Sequence, residues 1–152
     1  MKEELEKQLH VSESVAELEK DLRYISGIIK QKGREILSDF SITPPQFVAL
    51  QWLFDEGGMT IGELSNKMYL ACSTTTDLID RMEKTNLVKR VKDSNDRRVV
   101  RIHLLEKGEK IINEVIRKRQ KYLQQLLANY SNEEVKILQN NMQKLHQEMS
   151  KE

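Results

Sequence analysis

The 152-residue chain is poor in the residues that staple, kink or interrupt a fold: one cysteine, two prolines and six glycines. A lone Cys72 excludes an intrachain disulfide and fits a reducing compartment. Aromatic residues make up only 5%. No apolar run approaches the roughly 18 residues of a membrane span, and the acidic start MKEELEKQLH is no signal peptide. A cytoplasmic protein without membrane association is the expectation. Charge of one sign is also missing, since 25 Lys and Arg face 24 Asp and Glu for a net of +1. That balance argues against a disordered polyanion or a basic tail. With 38% hydrophobic residues there is apolar material for a core, and the length suits one compact domain.

Scarce turn residues leave long helices. Val15, Leu18, Leu22, Ile25, Ile28 or Ile29, Ile36 and Phe40 recur at three- and four-residue steps, which predicts a helix over Ser14 to Ser38. Thr43 before Pro44 reads as an N-cap and first helical position, opening a second helix that stops at Gly57-Gly58. Thr60 and Glu63 form a capping box for a short third helix carrying Ile61, Leu64 and Met68. The polar stretch Cys72 to Asp77 leads into Leu78, Ile79 and Met82, a fourth helix closed by Asn86 in a left-handed conformation. Two strands follow, Leu87–Val91 and an alternating run through Val100, Ile102 and Leu104, joined by a turn at Asp93-Ser94-Asn95-Asp96. The remainder is helical: a stripe from Ile111 to Leu127, then Ser131 and Glu134 as a capping box before Val135, Leu138, Met142, Leu145 and Met149, spaced like a coiled-coil seam.

Short helix, tight turn, second helix and hairpin is the order of a winged helix-turn-helix, a mainly α fold with a small β-hairpin wing. Such a unit presents the start of its second helix to the major groove, where Ser73, Thr74, Thr75 and Thr76 suit base edges and phosphates. The same hydroxyls can equally be ordinary N-cap and first-turn residues. The hairpin adds weight to the first reading, although a run of charge is more often an ordinary solvated face. From Arg81 to Arg101 there are eight cations, Arg81, Lys84, Lys89, Arg90, Lys92, Arg97, Arg98 and Arg101, against Glu83, Asp93 and Asp96, a local excess of five. From Met1 to Leu22 three lysines face seven acids. Near-neutrality is thus a sum of segregated charge, and the basic segment suits a duplex backbone that releases counterions on binding.

The stretch Thr60 to Gly108 resembles the winged-helix core of MarR-family transcriptional regulators. Ser73-Thr74-Thr75, the run Leu78 to Lys84, the wing Asp93 to Arg98 and Glu106-Lys107-Gly108 carry the likeness. The resemblance implies a homodimeric bacterial regulator of double-stranded DNA on a pseudo-palindromic operator, commonly a repressor released by a small-molecule effector or an oxidant. It places Ser73 to Asp77 at the start of the recognition helix with Arg81 beyond, and Asn95, Asp96, Arg97 and Arg98 in the wing. Arg97 would enter the minor groove while Asp96 and Arg98 brace the loop, with Arg81 a further brace. Asn95 stands where many members carry arginine, and Asp77 where a basic or polar residue is common. Asp77 can accept from cytosine N4 or pair with Arg81 four residues on, and the pairing is the expectation. Leu105 replaces the usual Thr or Ser cap, so a less sharply started helix is expected there.

Three segments are expected: a dimerisation helix over 1–40, the DNA-binding winged helix over 41–106, and dimerisation helices over 107–152. The terminal stripes are too long for a winged helix to bury, which is the argument for two chains. A helical protein-protein interaction module without DNA specificity is the competing reading. Cys72, at the start of the recognition helix where a helix dipole favours thiolate, is a candidate redox sensor, although a single cysteine is more often a small hydrophobe. His10, His103 and His146 have no partner at ligand spacing, so neither a metal nor another cofactor is expected. By the resemblance an effector cavity could fall near Tyr24, Phe47, Trp52 and Met68, but aromatics and methionines at helical spacing are more often plain core, and no pocket is assigned. No phosphate loop or nucleophile elbow is present, and an enzyme is not expected.

Overall fold

A computed structural model describes residues 1–4 and 10–151. Glu6 and Lys7, part of the acidic amino-terminal segment, lie outside the described residues. The elements run α1 (Glu13–Ser38), α2 (Pro44–Glu56), α3 (Ile61–Met68), α4 (Cys72–Lys84), β1 (Val88–Lys92), β2 (Val100–Leu104), α5 (Glu106–Leu126) and α6 (Asn132–Met149). They fall into two compact units, 1–112 and 113–152.

Local signals set the element ends. Ser12 Oγ accepts from Val15 N to start α1 one residue earlier than the apolar spacing suggests. Thr43 with Gln46, Thr60 with Glu63 and Ser131 with Glu134 each form reciprocal capping boxes, satisfying two otherwise orphaned N–H groups per helix. Pro44 occupies the first position of α2, where its missing N–H costs nothing. Gly57 (φ 79°) and Asn86 (φ 62°) take the positive-φ conformations that end α2 and follow α4.

In the first unit the core is Ile36, Leu37, Ala49, Leu50, Leu53, Leu64, Ile79, Met82, Leu87, Val88 and Ile102, all nearly or fully buried. The end of α1, through Ile36 and Leu37, therefore packs into the core of the winged unit. Strands β1 and β2 pair antiparallel from Val88 opposite Leu104 to Lys92 opposite Val100. A third short pairing was not expected: Met59 N donates to Ile102 O at 3.2 Å and Ile102 N to Met59 O at 2.6 Å, which adds the segment after α2 to the hairpin. It fixes the hairpin against the α2–α3 connection. At Gly108 a Cβ would overlap Leu87 O, so α5 begins close against the backbone that enters β1. Only glycine allows that approach.

Apolar side chains remain uncovered on both units. On α1 they are Val15, Leu18, Leu22, Ile25, Ile28 and Ile29, a row at helical spacing. On the second unit they are Leu123 and Leu126 of α5 and Ile137, Leu138, Met142, Leu145 and Met149 of α6. Among the described residues, α6 has no buried side chain at all. This 18-residue helix therefore presents its apolar seam largely uncovered.

Candidate nucleic-acid interface

The link between α3 and α4 is a tight turn. Tyr69 closes α3 in the left-handed conformation (φ 55°, ψ 40°), and Leu70 N donates to Ser65 O at 3.0 Å. Ala71 then takes the N-cap position of α4 and provides no side-chain acceptor. None of the hydroxyl cluster is the N-cap, although Ser73 and Thr74 do lie in the first turn of α4. Ser73 and Thr74 are exposed, with no side-chain hydrogen bond among the described residues, beside first-turn N–H groups that lack a capping side chain. That end of a helix attracts anions.

Thr75 corrects the sequence reading. It is fully buried, and its Oγ1 donates to Ala71 O at 3.1 Å, so it packs α4 onto the core and cannot reach a base. Thr76 is half-buried, with its Oγ1 donating to Cys72 O at 2.9 Å. Thr75, Ile79 and Met82 form the inward face. At about 100° per residue the outward face carries Ser73, Asp77 and Lys84, flanked by Thr74, Asp80 and Arg81. The expected Asp77–Arg81 pair is not formed, and Arg81 braces nothing in the wing; both side chains are exposed and free of ion pairs among the described residues.

Arg90 does the bracing instead. Its guanidinium meets Asp80 at 2.6 Å and Glu83 at 2.9 Å, while Glu83 also accepts from Arg90 N at 3.1 Å. This clamp ties α4 to β1. Sequence spacing concealed it, because Asp80 and Glu83 reach Arg90 only after the chain reverses at Asn86.

In the wing, Asp96 and Arg98 pair as expected. Arg98 Nε and Nη2 donate to the two Asp96 oxygens at 3.1 and 3.2 Å, and Arg98 N donates to Asp96 Oδ1 at 3.1 Å. Those contacts, the side chain before the backbone, hold the Asp96 carboxyl below its usual range. A second brace sits at the wing base. Asp93 accepts from Asn95 N at 2.9 Å and from Arg101 Nε at 3.0 Å, and Arg101 also reaches Glu63 of α3 at 3.6 Å. The Asn95 amide, then Arg101, keeps Asp93 below its ordinary value. Arg97 projects from the tip, exposed and without an ion pair among the described residues. So the three acids of the basic segment are each engaged by an arginine, and Arg81, Lys84, Lys89, Lys92 and Arg97 stay exposed and without an ion pair among the described residues. The excess of positive charge read from sequence survives folding as five free side chains around one helix and one hairpin.

Residues 42–100 match the model of the MarR family. Over 91% of this chain and 95% of its own length, an uncharacterized HTH-type transcriptional regulator, YsmB of Bacillus subtilis (strain 168), is 64% identical. The chain belongs to the MarR family. A solved MarR-family protein from Bacillus stearothermophilus superposes with a TM-score of 0.88 at 62% identity, covering 93% of this chain and 99% of that one. A MepR variant from S. aureus, solved bound to an oligodeoxyribonucleotide, has a TM-score of 0.65 at 24% identity, covering 92% and 99%, a likeness of fold alone. This MarR-family chain is a helix-turn-helix transcriptional regulator, and its family is one of regulators and not of enzymes. In this family member Cys72 is exposed at the first residue of α4, its Sγ 3.4 Å from Ser65 Oγ. Trp52 is half-buried under the Lys67 ammonium, 5.0 Å from the ring centroid, and Tyr24 is exposed. Among the described residues no group of His, Cys, Asp and Glu could hold a metal ion, and no helix is long and apolar enough to cross a membrane.

Proposed function

We propose that this regulator binds a pseudo-palindromic operator as a homodimer and acts as a repressor relieved by a small ligand or an oxidant. Each protomer inserts α4 into the major groove, with Ser73, Thr74 and Asp77 toward the base edges and Arg81 beside the backbone. Arg97 at each wing tip enters the flanking minor groove, while Asp96 and Arg98 hold the tip and Asn95 lies beside it. The observation that carries the reading is the set of five exposed, unpaired cations gathered on α4 and the hairpin, since free cations displace condensed counterions and internally paired ones do not. The uncovered apolar rows of α1, α5 and α6 supply the surface for a second copy. Two copies would space their recognition helices by about 34 to 36 Å, one duplex turn.

Release by an effector would follow from differential affinity for two spacings of those helices. The oxidant form of the reading assigns Cys72, where oxidation would add bulk beside a bound phosphate. Peroxide treatment that oxidises Cys72 and leaves operator affinity unchanged would remove that form. For the main reading the test is a titration of duplex DNA at several salt concentrations, joined to sedimentation of the free protein. Salt-sensitive binding by a species of twice the chain mass is expected; a monomer, or salt-independent binding, would overturn it.

A further inference from the structure

The buried face of α4 fixes its rotation, and what lies opposite is unexpected in a DNA-binding helix. With Thr75, Ile79 and Met82 inward, the position at the middle of the outward face is Asp77, one turn after Ser73 and two turns before Lys84. Its carboxylate is exposed and has no hydrogen bond or ion pair among the described residues, although the Arg81 guanidinium stands free four residues on. The neighbouring acid, Asp80, is taken up by Arg90 at 2.6 Å. Hence α4 carries a single unengaged carboxylate, centred on the face that would meet the groove floor.

Resting on the DNA reading above, we propose that Asp77 is a specificity-determining residue that selects cytosine by accepting a hydrogen bond from the N4 amine. A carboxylate there gains nothing from the phosphates, which repel it. On the groove floor guanine offers N7 and O6 and thymine O4, all acceptors, so an aspartate beside them is left unsatisfied. Adenine offers its N6 amine next to N7, an acceptor that suits an amide with both a donor and an acceptor. Cytosine alone presents an amine without an adjoining acceptor on the same base edge. Asp77 therefore works largely by exclusion: the free cations attract any duplex, and this carboxylate penalises those without cytosine at one position of each half-site.

The test is selection of bound duplexes from a randomised library by the full-length wild type, Asp77→Ala and Asp77→Asn, with unfolding curves confirming that the exposed substitutions leave the fold intact. Wild-type sites should show C·G at one symmetry-related position per half-site. Replacing it should weaken wild-type binding by about five- to 100-fold. Asp77→Ala should lose preference at that position alone, and Asp77→Asn should shift it toward adenine. Base frequencies identical in wild type and both variants would overturn the assignment while leaving DNA binding standing. Failure of the wild type to enrich any sequence would instead overturn the DNA reading itself.

Discussion

Removing the Arg97 guanidinium separates a cation that meets DNA from one that merely decorates the wing. Arg97 has no ion pair among the described residues, so Arg97→Ala frees no carboxylate and disturbs no brace. On B-DNA each neutralised phosphate contributes about −0.9 to the slope of log K against log salt. With one wing per protomer, a homodimer variant loses two contacts and its slope becomes shallower by about 1.8. Between 50 and 200 mM salt, a fourfold range, the wild type should then lose about tenfold more affinity than the variant. Fluorescence anisotropy on a labelled operator duplex at five or six salt concentrations measures this. Arg98→Ala is the contrast, because Arg98 is tied to Asp96: affinity should fall at every salt concentration as the tip loosens, with a smaller change of slope. An Arg97→Ala slope equal to the wild type would refute the reasoning from free and paired cations.

Three further outcomes follow from the packing and the ion pairs. Arg90→Ala should destabilise the winged unit by roughly 1–2 kcal/mol in urea unfolding at fixed protomer concentration, since two half-exposed acids lose a hydrogen-bonded partner; a change within error would mean that the clamp is idle. Gly108→Ala should destabilise by up to about 2 kcal/mol, because the added Cβ meets the Leu87 carbonyl and moving backbone costs about 1–3 kcal/mol against a helix-propensity gain of about 1 kcal/mol; a variant more stable than wild type would contradict the close approach. Asp93 and Asp96 are held below the ordinary 3.8, so their bracing is fully present above that pH and is lost as pH falls through the lowered folded values. NMR titration of the two carboxyls should give midpoints below 3.8, and midpoints at or above it would contradict the hydrogen bonding.

Helix existence and order were legible because caps and apolar spacing agree. The Thr43 N-cap, the Thr60 and Ser131 boxes, the Asn86 turn and the β1–β2 hairpin all stand where local sequence implies them. Thr75 shows how a residue type can mislead: four residues before Ile79 and seven before Met82 it belongs to the inward stripe, yet its hydroxyl suggested the outward one. Contacts across the chain were illegible for a different reason. The Met59–Ile102 pairing, the Arg90 clamp and the Arg101 bridge to Glu63 depend on how the hairpin folds back, and no local period records that. The Asp77–Arg81 spacing permits a pair that the side chains do not make, since an exposed pair at that spacing is worth only a few tenths of a kcal/mol.

Footprinting of the free protein on the promoter beside its own gene tests the central claim most directly. The account predicts protection of a dyad-symmetric site, with two half-sites about 10 base pairs apart, centre to centre, and weakening as salt rises. Protection without symmetry, or no protected site at any salt concentration where the protein remains folded, would contradict it.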